Sequence, residues 1–150
     1  MSIISKITQP ILGQLKQGVT PHKLALSIAI GLLIGIMPIL GLSTTLCLVA
    51  AYFLGLNHIA IQSVNYAAYP LQIIMIIPFV RMGEWILGRK KTPLDITTIL
   101  HQMQDNLKIA FQKYFFLGLV GLLAWAILAP VILSIIYFIS KFILTKALRK

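Results

Sequence analysis

The stretch from Leu24 to Leu56 contains thirty-three residues without a charged side chain, and Pro38 and Gly41 lie near its middle. As one straight helix it would be about 50 Å long, whereas the hydrocarbon core of a bilayer is about 30 Å thick. The stretch is therefore apolar enough for a membrane but too long to cross it as one rod. Because proline and glycine both interrupt helices, we expect a break at Pro38 and Gly41.

The composition of the whole chain also indicates a membrane protein. Of 150 residues, 59% are hydrophobic and 11% are charged, against about 25% charged residues in soluble domains. Thirteen Lys and Arg face three acidic residues, and the basic residues flank the apolar segments without interleaved aromatics. We therefore expect membrane lipids with anionic head groups as partners, and no nucleic acid.

The residues that usually carry catalysis or bind metals are scattered. Cys47 is the only cysteine, and the three histidines stand singly along the chain. No pair of carboxylates and no nucleophile beside a base can be recognised, so we predict no metal, no cofactor and no enzyme activity.

The predicted fold class is all-α, an integral membrane helical bundle with half-helices broken by Pro and Gly and with amphipathic helices at the interface. We read residues 1–150 as a single membrane domain with six segments. These are an amphipathic N-terminal segment at 1–19, a broken apolar segment at 20–56, a second at 57–88, an amphipathic interfacial helix at 92–113, a third apolar segment at 114–140 and a basic tail at 141–150.

Helix starts, breaks and packing faces can be assigned from single residues. Thr20-Pro21 and Thr92-Pro93 are typical of a capped helix start, and Ser43 is expected to cap the second half-helix. The predicted breaks are at Pro38, Gly41, Pro70 and Pro130. Small residues recur every four positions at Ser27, Gly31 and Gly35, a face that favours close helix packing within the monomer over homodimerisation.

Basic clusters precede the first apolar segment, lie between the second and third at Arg89, Lys90 and Lys91, and follow the third. The positive-inside rule would place all three clusters, and hence both termini, in the cytoplasm. The first two segments then form either kinked crossings or re-entrant hairpins. The third is either one span, which would export the tail, or a hairpin broken at Pro130, which would keep the tail inside.

Polar side chains near the breaks are the candidate substrate-binding residues. They are Ser43, Thr44, Thr45, Asn65, Gln72 and Arg81. Helix starts at Ser43 and near Leu71 would direct positive dipole ends toward the middle of the membrane, where an anionic group could be held. The alternatives are that the Ser/Thr cluster only caps a helix and that Arg81 pairs with Glu84 one turn away.

The run from Gly18 to Thr44 resembles a known family signature. It contains Gly18-x-Thr20-Pro21, then Ala29-Ile30-Gly31 and Gly35-x-x-Pro38, followed by Gly41-x-Ser43-Thr44. These positions resemble the bacterial membrane family called domain of unknown function 2062. Where that family tends to carry Asn-Pro-Leu-Thr, this chain has Tyr69-Pro70-Leu71-Gln72. The resemblance implies an integral protein of the bacterial cytoplasmic membrane, and some members are fused to glycosyltransferase-like domains, which hints at cell-envelope glycan or lipid work.

Two functions follow as hypotheses. The first is a carrier or accessory protein that handles or translocates a lipid-linked or anionic lipid substrate in the cell envelope. The second is a non-catalytic anchor or scaffold, which would bind an envelope enzyme or a second copy of the chain through the helix at 92–113 and the small-residue face.

Overall fold

The computed structural model describes residues 20–148, which form six α-helices and no strand. The helices are α1 (Pro21–Gly35), α2 (Ser43–Leu54), α3 (His58–Ala67), α4 (Tyr69–Ile86), α5 (Ile96–Asp105) and α6 (Leu107–Leu148). The all-α prediction is confirmed. The predicted amphipathic segment at 1–19 and the last two residues of the basic tail lie outside the described residues.

The first apolar segment folds as two antiparallel helices. The Thr20 side chain caps α1 by accepting a hydrogen bond from the Lys23 amide at 3.3 Å, as predicted. The chain then leaves the helical path at 36–42, where Gly41 has a φ of 88° that a side chain would disfavour. α2 ends at Leu54, and its C-cap Gly55 is left-handed.

The two ends of this pair meet again in space. The backbone amide of Asn57, just after α2, donates to Ser27 Oγ in α1 at 3.1 Å. A Cβ at Gly55 would stand 3.6 Å from Lys23 Nζ, so the end of α2 lies beside the start of α1. α1 and α2 therefore form a helical hairpin whose tip is the break at 36–42.

The small-residue face of α1 packs against α3. A Cβ at Gly31 would stand 2.6 Å from the carbonyl oxygen of Ile61, and one at Gly35 would stand 2.7 Å from Ala68 Cβ. Such close backbone approach is possible only because both positions lack a side chain. The face that the sequence predicted to pack is thus covered within the monomer.

The second apolar segment bends where Pro70 predicted a break. α3 and α4 meet at Ala68 with an angle of 62°. Pro70 lies in the first turn of α4, where its missing N–H has no helical partner to lose. At the other end of α4, Gly88 adopts a φ of 62° and stops the helix, as expected.

The third apolar segment corrects one prediction. Pro130 lies inside α6, which runs unbroken for 42 residues, so the expected break and the hairpin alternative are wrong. Pro130 removes a single backbone N–H from a very long helix, and a loss of one hydrogen bond is tolerated within an apolar bundle.

The predicted helix at 92–113 is two helices. α5 starts at Ile96, not after Thr92, because the Asp95 side chain accepts a hydrogen bond from the Thr98 amide at 2.8 Å. Hydrogen bonds from Thr98 and Thr97 hold the pKa of the exposed Asp95 carboxyl below its usual range. Asn106 is extended, and its side chain accepts a hydrogen bond from the Ile109 amide at 3.1 Å, so it caps the start of α6.

α6 is the longest element, and α1 and α4 pack along it. Near its C-terminal end, Leu144 packs with Leu24 and Ala25 of α1. Near its N-terminal end, a Cβ at Gly83 of α4 would collide with the carbonyl oxygen of Val120. The start of α1 and the end of α6 therefore lie at one end of the bundle, and the end of α4 lies at the other.

One described helix, Leu107–Ala147, is long and apolar enough to cross a membrane, and its most apolar stretch of 18 residues has a mean hydropathy of 2.6. The bent pair α3–α4 would be a second if it counts as one span, and α1 and α2 are shorter apolar helices. Most large apolar side chains of α6 face outward; Phe138 and Phe142 are examples.

Candidate functional site

Three of the predicted polar residues meet at the break between α1 and α2. Ser43, Asn65 and Gln72 are each fully buried. Gln72 Nε2 donates to the carbonyl oxygens of Met37 at 2.7 Å and of Ile39 at 3.3 Å, both within the break. The second broken segment therefore supplies hydrogen bonds to the peptide groups that the first break has left without helical partners.

Further side chains continue this network around Thr44. Its hydroxyl lies 3.1 Å from the hydroxyl of Tyr69 and 3.4 Å from Asn65 Nδ2. Its carbonyl oxygen accepts a hydrogen bond from Gln62 Nε2 at 3.0 Å. Thr45, also predicted to bind substrate, is exposed on the outside of α2 and takes no part in the network.

Trp125 of α6 also donates a hydrogen bond to the backbone near the break, and the sequence analysis did not identify it. Its indole Nε1–H donates to the carbonyl oxygen of Leu33 at 3.0 Å. That carbonyl would bond the Met37 amide in a continuing helix, but the Met37 amide bonds Ile34 instead because the helix ends. The only sequence feature that could have indicated this contact is the tryptophan itself, because the indole N–H of a Trp inside a protein usually donates to a hydrogen-bond acceptor. The sequence does not say where that acceptor lies.

Ser43 does not cap α2, contrary to the prediction. It is the first helical residue, and Leu42 occupies the N-cap position without a side-chain hydrogen bond. Ser43 Oγ, Asn65 Oδ1 and Gln72 Oε1 are buried and find no hydrogen-bond partner among the described residues. Two of these three atoms are amide oxygens, which accept hydrogen bonds and do not complement an anion.

Arg81 lies apart from the break network. Its Nη1 is 2.8 Å from Glu84 Oε2 and donates to the carbonyl oxygen of Thr92 at 2.9 Å. The other Glu84 oxygen accepts a hydrogen bond from the Thr92 amide at 2.8 Å. The guanidinium thus neutralises Glu84 and ties the chain after α4 to the helix, which is the pairing alternative considered above.

A cavity of about 410 Å³ lies next to this pair, between the end of α4 and the start of α6. Its lining combines basic and apolar side chains and comprises Glu84, Arg89, Lys90, Thr92, Lys113, Phe116, Leu117 and Val120. We call it the basic cavity. It lies beside the close contact between Gly83 of α4 and Val120 of α6, a tertiary contact that no sequence pattern indicates.

The electrostatics of the basic cavity are dominated by three cations. Both oxygens of Glu84 are engaged with Arg81 and Thr92, so its charge is compensated. The Arg89 guanidinium lies 4.7 Å from the centroid of the Phe116 ring, and Lys113 Nζ donates to Gln102 Oε1 at 2.8 Å. Lys90 is exposed at the rim. Such a site can bind an anion with several oxygens, such as a phosphate group.

A family model described as "uncharacterized protein conserved in bacteria (DUF2062)" matches residues 7–150. The chain belongs to the DUF2062 family. The resemblance drawn from the run between Gly18 and Thr44 is thereby confirmed. No curated protein and no solved structure matches this DUF2062 chain.

The element at Tyr69–Gln72 keeps polar contacts in this DUF2062 protein although it differs from Asn-Pro-Leu-Thr. Tyr69 reaches the hydroxyl of Thr44, and Gln72 reaches the carbonyl oxygen of Met37. The polar partners therefore stand on both sides of Pro70. Through these contacts, the residues at Tyr69–Gln72 connect the bend of the second apolar segment to the break in the first.

Proposed function

We propose that this DUF2062 protein is an integral protein of the bacterial cytoplasmic membrane and binds the anionic phosphate headgroup of a lipid in the basic cavity. The observation that carries the proposal is the lining of that cavity. Arg89, Lys90 and Lys113 provide positive charge, while Phe116, Leu117 and Val120 provide apolar contact directly beside it. A lipid presents the same two chemistries side by side at its headgroup.

The spacing of charges on α6 supports a position at the membrane interface. Lys113 and Lys141 are twenty-eight residues apart, and no charged residue lies between them. That separation corresponds to about 42 Å of helix, close to the 40–45 Å or so of a bilayer with its headgroup regions. With α6 as a span, the basic cavity lies at the depth of the phosphate groups.

The side-chain hydrogen bonds to backbone carbonyl oxygens at the break support membrane insertion of the α1–α2 hairpin as a re-entrant element. In hydrocarbon, every peptide group without a partner costs several kcal/mol, so a chain break must be covered by protein. The side chains of Gln72 and Trp125 provide this cover at the break. The tip lies beside α6, because Pro38 packs against Gly121.

Lipid binding can be tested on purified full-length protein in nanodiscs of neutral lipid with increasing amounts of phosphatidic acid. Neutralising Lys90 and Lys113 together (Lys90→Gln with Lys113→Gln) should weaken binding by more than tenfold, since each cation near the surface contributes about 1 kcal/mol.

The matched control removes the same charge outside the cavity. Lys108→Gln with Lys146→Gln should leave the affinity for phosphatidic acid within about twofold, because neither residue lines the cavity. Equal weakening by both pairs would mean that the protein attracts anionic lipid only through its overall charge, and the proposal would fail.

A second candidate function, an anchor for an envelope enzyme, is favoured by α5. Its apolar side chains Ile96 and Leu100 are 75% and 53% exposed, and none of its residues is buried. In this case Ile96→Ser with Leu100→Ser should abolish co-purification of an envelope enzyme from membranes while phosphatidic acid binding persists.

A further inference from the structure

We propose that the break between α1 and α2 binds a small monovalent cation through Ser43 Oγ, Asn65 Oδ1 and Gln72 Oε1. This site is separate from the basic cavity and uses none of the residues that line it.

The first argument is burial without satisfaction. All three side chains are fully buried, and these three oxygen atoms find no hydrogen-bond partner in residues 20–148. Buried polar atoms in folded proteins nearly always have a partner, so three orphaned atoms around one break call for an explanation.

The second argument is that the two amide oxygens cannot be exchanged for amide nitrogens. Gln72 Nε2 faces the carbonyl oxygens of Met37 and Ile39, which can only accept a hydrogen bond. Asn65 Nδ2 faces Gln62 Oε1 at 3.4 Å, and the Gln62 amide nitrogen is fixed by its bond to the Thr44 carbonyl. The network therefore assigns oxygen to both orphaned positions.

The third argument is that each of the three side chains lies at the break where α1 ends and α2 begins. Asn65 Oδ1 would lie 3.3 Å from a Cβ at Gly35, the last residue of α1, and Ser43 is the first residue of α2. Gln72 holds the peptide groups between these two residues. The C-terminal end of α1, whose free carbonyl groups carry partial negative charge, therefore lies at the same break.

The chemistry of these ligands determines which charge the bound ion should carry. Oxygen atoms of amides, hydroxyls and unwound backbone bind alkali cations, as in the broken helices of ion-coupled transporters. All three ligands are neutral, and the buried carboxylate Glu84 lies three turns further along α4 than Gln72 and is paired with Arg81. A divalent ion would lack compensating charge, and an anion would meet acceptor oxygens, so a monovalent cation fits best.

The test measures the melting temperature of the full-length protein in detergent with NaCl, KCl or choline chloride at matched ionic strength. Na⁺ or K⁺ should raise the melting temperature above that in choline by roughly 5 °C at saturation, because a ligand that binds only the folded state stabilises it. The increment should saturate with salt concentration.

Variants then locate the effect. Ser43→Ala and Asn65→Leu each remove a ligand and should abolish the increment, whereas the exposed neighbours Thr45→Val and Ser63→Ala should retain it. Asn65→Asp keeps the shape of the side chain and adds a negative charge, so it should tighten cation binding about tenfold or more.

The outcomes are decisive even if a ligand variant folds poorly. Equal melting temperatures in all three salts would overturn the proposal and leave buried water as the partner of these oxygens. An increment that survives Ser43→Ala and Asn65→Leu, or one that Asn65→Asp does not strengthen, would also overturn it. None of these results bears on lipid binding at Lys90 and Lys113.

Discussion

Gln72 donates its side-chain amide to the carbonyl oxygen of Met37 at 2.7 Å, which joins the bend of the second apolar segment to the break in the first. The two residues are thirty-five positions apart in sequence. Gln72 belongs to α4, whereas Met37 lies in the break between α1 and α2. The bond replaces a helical hydrogen bond that the chain gives up at the break. We expect the shape of the hairpin tip to depend on this contact.

Gln72→Leu tests that dependence. The variant keeps the volume of the side chain but removes the Gln72 donor from two carbonyl oxygens: that of Met37 keeps only the Ile39 amide, and that of Ile39 loses its side-chain donor. We therefore expect a loss of about 1–3 kcal/mol in the free energy of unfolding. Denaturant unfolding of the purified protein measures it. Gln112→Leu, the same change at an exposed position of α6, should lie within about 0.5 kcal/mol of the wild type, and an equal loss there would contradict the assignment.

Close backbone contact at Gly83 sets the distance between α4 and α6. A Cβ there would collide with the carbonyl oxygen of Val120, and neither backbone can move without shifting a whole helix. Gly83→Ala should therefore destabilise the protein by at least about 2 kcal/mol and weaken phosphatidic acid binding, because the same contact shapes the basic cavity.

Gly118→Ala serves as the matched control on α6. The nearest atom to a Cβ at Gly118 is the carbonyl oxygen of Pro38 at 3.9 Å, an ordinary contact. Since alanine favours a helix over glycine by up to about 1 kcal/mol, the variant should be neutral or more stable in thermal unfolding. If Gly83→Ala behaves in the same way, the close approach of the two helices is not a feature of the protein in solution.

The two prolines Pro70 and Pro130 should respond differently to replacement. Pro130 lies inside α6, so Pro130→Ala restores a backbone hydrogen bond and should stabilise the protein by about 1–3 kcal/mol. Pro70 lies in the first turn of α4, where no helical hydrogen bond is missing, and Pro70→Ala should change stability by less than about 1 kcal/mol. Thermal unfolding of both variants separates the cases, and a loss of stability in Pro130→Ala would argue against a continuous α6.

Local sequence patterns predicted the parts of the fold that depend on local chemistry. The Thr20 cap, the break at Pro38 and Gly41, the bend at Pro70 and the stop at Gly88 all follow from the conformational limits of single residues. Pro130 failed as a breaker because the length and packing of a 42-residue helix outweigh one missing hydrogen bond.

The candidate site also has a part that local sequence patterns predict and a part that depends on tertiary packing. Ser43, Asn65 and Gln72 could be recognised because buried polar residues near a break need partners. The basic cavity could not, because Arg89 and Lys113 come together only through the packing of α4 on α6. Hydrophobic periodicity marks the faces of helices but does not say which pairs of helices will share a face.

The direction of α6 leads to the last prediction, which concerns the two basic clusters. Arg89 stacks on Phe116 near the start of α6, while Lys141 and Lys146 lie near its end. If α6 is a span, these clusters lie on opposite sides of the membrane, whereas the positive-inside rule had placed them together. The start of α1 stays on the same side as the tail, since His22 Nδ1 lies 2.7 Å from the Tyr137 hydroxyl.

Single-cysteine variants Lys91→Cys and Lys146→Cys, each in a Cys47→Ala background, can be labelled in intact cells with a membrane-impermeant maleimide. We expect one of them to react from outside and the other only after the cells are opened, because about 42 Å of apolar helix separates the two basic ends of α6. His22→Cys should give the same result as Lys146→Cys, because both positions lie at one end of the bundle. Labelling of Lys91→Cys and Lys146→Cys from the same side would show that α6 does not cross the membrane.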